Sequence, residues 1–154
     1  MNEHDRNPER EVAAVDVTEV HGLRRDVLRR GTPTDNVHLD ADDDVRTRHL
    51  AIRDDGDVVA ASTWLERECP HHPGVPALQL RGMAVRDDHQ RRGLGATLID
   101  AGVAVGRSLG VELIWANGRD SALDFYAANG FHVVGDGFVT SDTKIPHHVI
   151  VRRL

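Results

Sequence analysis

The sequence predicts an α/β domain in which strands and helices share one core, and three observations carry that expectation. A strand, a glycine-bearing turn and a helix follow one another over residues 80–109, and a second apolar strand covers 111–116. Such a strand–helix–strand run implies a right-handed parallel crossover. Two further apolar runs, 49–53 and 58–65, flank Asp54-Asp55-Gly56-Asp57, and Asp-Gly between strands is a strong hairpin signal, so antiparallel pairing is present as well. At 154 residues the chain suits one domain with a sizeable core, expected over 11–154 behind a solvated tail at 1–10.

Bulk properties narrow the function classes. Aromatic residues make up 4%, so the core must rely on Val, Leu, Ile and Ala. The formal charge of −6 is spread rather than blocked, which argues against non-specific nucleic-acid binding. An acidic surface serves solubility first, and it would also attract a cationic partner. A single cysteine, Cys69, rules out an internal disulfide and fits a reducing compartment. No apolar run is long enough to span a membrane, and MNEHDRNPER lacks the apolar core of a signal peptide. The expected location is the cytoplasm.

In chain order, 12–17 reads as a first strand, with Thr18 capping a helix whose apolar face is Val20, Leu23, Val27 and Leu28. Gly31 and Pro33 end it. Residues 34–46 form an aspartate-rich loop. Asp42, Asp43 and Asp44 read as a solvated loop or short helix start, because no ligand partners are spaced around them for a metal. After the hairpin, 66–76 is a loop holding Cys69, His71 and His72. Adjacent histidines point in different directions and no second Cys or His pair has zinc spacing, so no metal is expected. Residues 77–85 form the central strand, and Gly110 closes the helix that follows. Beyond the 111–116 strand, a helix is expected over 121–129, with Ser121 and Asp124 resembling a capping box and Gly130 as the left-handed stop. Two last strands, 131–139 and 148–154, are separated by a polar loop.

The chemistry is concentrated at the turn. Gly93 and Gly95 stand at the mouth of a helix whose apolar residues recur at Leu94, Leu98, Ala101, Val105 and Leu109. Backbone N–H groups converge on an anion in that geometry, and a Cβ would hold a phosphate away from the main chain. A P-loop would need Lys-Ser or Lys-Thr after the last glycine, where Ala96 and Thr97 stand. A dinucleotide fingerprint would need a small residue where Leu98 stands. What remains, Gln90-Arg91-Arg92-Gly93-Leu94-Gly95-Ala96, matches the Q/R-x-x-G-x-G/A signature and resembles the GNAT family of N-acetyltransferases. Ala122-Leu123-Asp124-Phe125-Tyr126-Ala127-Ala128-Asn129-Gly130-Phe131 matches a second signature of that family, A-x-x-F-Y-x-x-x-G-F. On its own, Phe125-Tyr126 would read as core aromatics at helical spacing. More narrowly, Gln79-Leu80-Arg81-Gly82-Met83-Ala84, Trp115-Ala116-Asn117 with Arg119, and Pro146-His147 resemble a bacterial subgroup of small GNAT proteins. The resemblance covers residues 45–154 well and the N-terminal third in outline.

The resemblance implies a mixed, mostly antiparallel sheet of six or seven strands flanked by about four helices. Its central parallel pair would splay apart to admit acetyl-CoA. Main-chain groups of Met83 and Val85 would hold the pantetheine arm, and the turn Gln90, Arg91, Arg92, Gly93, Leu94, Gly95 and Ala96 the pyrophosphate. Arg86, Arg91 and Arg92 would supply positive charge. Asn117 and Ser121 complete the expected cofactor contacts, although Asn117 reads equally well as a turn residue before Gly118. Relatives frequently pair, so a homodimer is one expectation, and neither nucleic acid nor membrane is an expected partner.

Acetyl transfer to an amine sets three demands. An alkylammonium with pKa about 10.4 must first be neutralised, a cost of roughly 4.6 kcal/mol at about pH 7, so a general base is needed. The thioester carbonyl develops negative charge, for which the Val85 N–H is the candidate donor. The leaving thiolate needs a proton, and Tyr126 aligns with the tyrosine that supplies it in many family members. For the base, Glu66, Glu68, His147 and His148 are candidates, each also readable as an ordinary exposed polar residue. His147 gains from the Pro-His resemblance. Arg81 either orients a substrate carboxylate or pairs with a neighbouring acid. The acceptor is then a small-molecule or peptide amine, chosen by the loops at 31–46, 66–76 and 140–146. The alternative is a catalytically silent CoA-binding or regulatory module on the same fold.

Overall fold

The computed structural model describes residues 11–154; the expected tail at 1–10 lies outside them. Seven strands form one sheet: β1 (Val12–Val15), β2 (Arg48–Asp54), β3 (Asp57–Glu66), β4 (Ala77–Val85), β5 (Leu113–Arg119), β6 (His132–Val139) and β7 (Pro146–Arg153). Their order is β1-β2-β3-β4-β5-β7-β6, antiparallel throughout except for the parallel β4–β5 pair. Three α-helices accompany them among the described residues: α1 (His21–Leu23), α2 (Leu94–Leu109) and α3 (Leu123–Ala128). Asp55 (φ 52°) and Gly56 (φ 85°) both adopt left-handed backbone, making the two-residue turn that the Asp-Gly signal predicts between β2 and β3.

Side chains alternate across the sheet, so each face has its own packing. On one face α2 and α3 cover Ile52, Trp64, Leu80, Ile114 and Ile150. On the other, Val20 and Leu23 sit against Ala51, Ala61 and Ala84. Further along that second face, Cys69 packs with Trp115, Val149 and Val151, which places the 66–76 loop over β5 and β7.

Pairing between β4 and β5 stops at Leu80 and Ala116, although β4 continues to Val85 and β5 to Arg119. The cause lies in β4. Thr63 faces Arg81 and Ala61 faces Ala84, so Ser62 of β3 stands opposite two residues, Gly82 and Met83. Gly82 takes φ 58°, and this bulge bends β4 away from β5. The expected splay is present.

Several local expectations are corrected. β5 runs through Asn117, which pairs with Val149, so Asn117 is a strand residue and not a turn residue. Gly118 is there for closeness, since a Cβ would meet Ile150 Cδ1 at 3.0 Å. β1 ends at Val15 and the cap is Asp16, not Thr18; the Thr18 N–H and hydroxyl both donate to Asp16 Oδ1, at 2.9 and 2.7 Å. The first helical segment is a 3-10 turn, α1 and a π turn over Arg24–Leu28 in succession, not one helix. The Ser121–Asp124 capping box does not form, because a 3-10 turn over Asp120–Ala122 precedes α3 and Ala122 takes the cap position. Asp42, read as solvated, is 4% exposed: Arg24 donates to both its oxygens, at 2.7 and 3.2 Å.

Candidate active site

Successive residues of a strand direct their main-chain N–H and C=O groups to opposite edges. The Arg86 N–H donates to Val59 of β3 at 2.7 Å, so the N–H groups of Val85 and Met83 point the other way, to the edge that β5 has left. The Val85 carbonyl on that edge accepts from the Gln90 side chain at 3.1 Å.

The turn after β4 continues this edge. Gly93 caps α2 with φ 79°, a conformation that a side chain would strain, and Arg91 reverses the chain at φ 65°. The ladder of α2 begins with the Thr97 N–H on the Gly93 carbonyl at 3.0 Å, leaving the N–H groups of Gly93, Leu94, Gly95 and Ala96 unused by the helix. Their partial positive charge adds to that of the helix dipole. Gly95 has a packing role as well. It is buried, and a Cβ there would stand 2.8 Å from Phe125 Cζ, so its missing side chain admits α3.

Charges around the turn are arranged unevenly. Arg91 and Arg92 are exposed on it. Arg86 donates to Asp88 at 2.7 Å, so its charge is offset within the turn itself. Behind the turn His89, 7% exposed, bonds Asp54 of β2 at 2.6 Å and Asp88 at 2.8 Å. Asp54 first and Asp88 second hold its imidazole pKa above the ordinary value, which makes it a charged clamp between hairpin and turn.

Tyr126 of α3 is 8% exposed, in edge contact with Phe125 and Phe131 at ring separations of 5.1 and 5.5 Å. Burial pushes its phenol up to about 12, with the charge of Arg119 pulling weakly the other way. Its hydroxyl has no hydrogen-bond partner among the described residues.

On the sheet face away from α2, Arg81 donates to Asp40, whose other oxygen accepts from Arg67 at 2.8 Å, so Arg81 pairs with a neighbouring acid. Arg119 lies opposite His147 in the β5–β7 register and donates to the Leu28 carbonyl at 2.5 Å. His147 is 8% exposed and stacks on Phe138. Its Nδ1 bonds the Ile145 carbonyl at 2.7 Å, which leaves Nε2 as the acceptor nitrogen of a neutral ring. The other base candidates lie elsewhere. Glu66 sits at the paired end of β4, opposite Leu78, and Glu68 accepts from the Gly74 N–H. His148 bonds Asp120 at 2.7 Å. His21, His38 and Asp42 bring ligand-type atoms within 4.8 Å of one another, but the Asp42 carboxylate is committed to Arg24 and to the Leu39 N–H.

Residues 17–131 match the family described as the acetyltransferase (GNAT) family. The chain belongs to it. GNAT proteins are acetyltransferases, and acetyl-CoA is their acetyl donor. An uncharacterized N-acetyltransferase of Bacillus subtilis, YitI, is 25% identical over 128 residues, spanning 83% of this chain and 86% of that protein. Solved GNAT structures share the fold. Escherichia coli ElaA superposes with a TM-score of 0.74 at 16% identity, covering 92% of this chain and 99% of that one. An aminoglycoside 6'-N-acetyltransferase, solved with coenzyme A, gives 0.69 at 13% identity over 93% and 96%.

Within this GNAT fold, Met83, Val85 and the Gln90–Ala96 turn line one continuous edge. Asn117 is exposed on β5 beyond the last parallel pair, and Ser121 is exposed in the turn before α3. Two residues stayed outside the sequence-predicted site. His89 carried no signal beyond its place in the turn. Arg119 is marked in the sequence only by a resemblance, and its bond to Leu28 spans 91 positions of sequence.

Proposed function

We propose that this protein is an N-acetyltransferase in which a primary amine attacks the thioester of acetyl-CoA directly. The observation carrying this reading is the unpaired edge of β4 beyond Leu80, which leads into the four N–H groups at the start of α2. Main-chain groups of Met83 and Val85 hold the pantetheine arm as an added strand would. In the turn Gln90, Arg91, Arg92, Gly93, Leu94, Gly95 and Ala96, the N–H groups of Gly93, Leu94, Gly95 and Ala96 take the pyrophosphate, with the exposed Arg91 and Arg92 side chains beside it. Asn117 and Ser121 contact the cofactor from the β5 side.

Three protein groups then serve the reaction. The Val85 N–H stabilises the developing oxyanion. His147 Nε2 takes the ammonium proton, directly or through a water, since its Nδ1 is already bonded. Tyr126, whose phenol at about 12 is protonated before the step, gives its proton to the leaving thiolate and is restored by the proton that the attacking nitrogen loses as the amide forms. The acceptor is a small-molecule or peptide amine, and the lone Cys69 fits a cytoplasmic location.

Acetyl-CoA consumption with an amine panel, wild type against Tyr126→Phe, tests the reading. The expected result is a fall in kcat of about 100-fold with cofactor affinity kept within about threefold. Cofactor binding without turnover in either protein would instead support a silent CoA-binding module.

A further inference from the structure

Arg119 ends β5 three residues beyond the last parallel pair, on the strand face away from α2. It donates to the Leu28 carbonyl, at the end of the π turn whose Arg24 guanidinium lies under Gly82 of β4. Its side chain therefore crosses the opening between β4 and β5 on the side opposite the α2 turn. Arg29, the next residue after Leu28, donates through Nε to the Asn36 carbonyl at 2.6 Å. Both arginines are half-buried, and among the described residues neither forms an ion pair.

That arrangement is unusual for arginine, which is normally paired when withdrawn from water. The carboxylate whose charge acts on Arg119 is that of Asp142, and its Oδ1 accepts from the Thr143 N–H at 2.8 Å. Burial, with the like charge of Arg29 second, lowers the Arg119 pKa below the ordinary guanidinium value. Two cations drawn together without a carboxylate suit a ligand anion, and a planar fork of N–H donors suits a carboxylate in particular.

We propose that Arg29 and Arg119 bind a carboxylate on the acceptor, so that the amine acetylated by this protein is that of a free amino acid. This rests on the catalytic reading above and adds the substrate class. The acceptor enters on the face away from α2, its carboxylate lies between the two guanidinium groups, and its amine reaches across the opening towards the thioester.

Matched pairs that differ only in the carboxylate test it: L-phenylalanine and phenethylamine, L-leucine and isoamylamine, L-lysine and cadaverine, L-histidine and histamine. In at least one pair the acid member should be favoured by about 100-fold in kcat/KM, and Arg119→Gln and Arg29→Gln should each reduce that ratio about tenfold. Arg119→Lys keeps the charge without the fork and should fall between. A purely structural role for the arginines, or one confined to Tyr126, lowers both members alike and leaves the ratio standing, which would overturn the assignment. Equal turnover of both members in every pair would overturn it as well. Calorimetry of the N-acetylated products of the same pairs against CoA-saturated protein reads the preference without turnover. A carboxylate preference there with no turnover keeps the carboxylate site at Arg29 and Arg119 and removes the catalytic reading, with it the acetylated amine. Turnover with no preference does the reverse, and neither turnover nor preference removes both.

Discussion

Gly95 and Phe125 interlock: a Cβ on the first would stand 2.8 Å from Cζ of the second, so the two halves of the site touch through a missing methyl group. The phosphate-type turn and the aromatic helix are thereby held in one geometry. Phe125 is 36% exposed, so its ring can retreat towards solvent when crowded. Gly95→Ala should therefore destabilise by only about 1 kcal/mol, overpacking being partly offset by helix propensity. In a urea-unfolding double-mutant cycle with Phe125→Ala, the pair should couple by about 1 kcal/mol. Additive effects would remove the contact as the reason for this glycine.

Gly102 offers the opposite case. A Cβ there would fall 2.1 Å from Cζ2 of Trp64, which is 0% exposed and tied by its indole N–H to Ser62 at 2.8 Å. That ring has nowhere to go. Gly102→Ala should lose about 3 kcal/mol or more in urea unfolding, well beyond the loss at Gly95.

His89 should make stability depend on pH. Asp54 and then Asp88 raise its pKa above the ordinary 6.5 in the folded chain. Its contribution is therefore complete below about pH 6.5 and is lost as pH rises through the higher folded value. The wild-type melting temperature should fall more between about pH 6.5 and 9 than that of His89→Gln. Parallel curves would deny the clamp.

Asp42 and Arg24 form a buried pair at 2.7 Å, both side chains 1% exposed. Burial pushes the Asp42 carboxyl up, but hydrogen bonds from Arg24 and the Leu39 N–H outweigh it and hold the pKa below the usual value. Asp42→Asn should cost about 3–5 kcal/mol in urea unfolding, because Arg24 is left charged in the interior. Arg24→Met with Asp42→Leu should cost less than either single change.

What the sequence revealed followed from local chemistry. β4, α2 and the Gly110 stop lie where periodicity and glycine place them, and Asp55-Gly56 makes the expected hairpin. Asp42 reads as solvated because its partner, Arg24, is 18 residues away and Thr63, which shares that guanidinium, is 39 from Arg24. No window of sequence contains such a network. Asn117 reads as either a cofactor contact or a turn residue because a following glycine signals a turn, whereas Gly118 serves close packing beside Ile150 and the strand runs on. The role of Gly95 escaped for the same reason: its neighbour Phe125 belongs to a different helix. The π turn at Arg24–Leu28 has no pattern that separates it from an ordinary helix.

Titration calorimetry of the full chain with coenzyme A tests most directly whether the free amides at the start of α2 hold a pyrophosphate. Coenzyme A should bind with a Kd below about 100 μM, and pantetheine, which lacks the pyrophosphate together with the adenosine 3'-phosphate, about 100-fold more weakly. No heat with millimolar coenzyme A, or equal affinity for pantetheine, would contradict it.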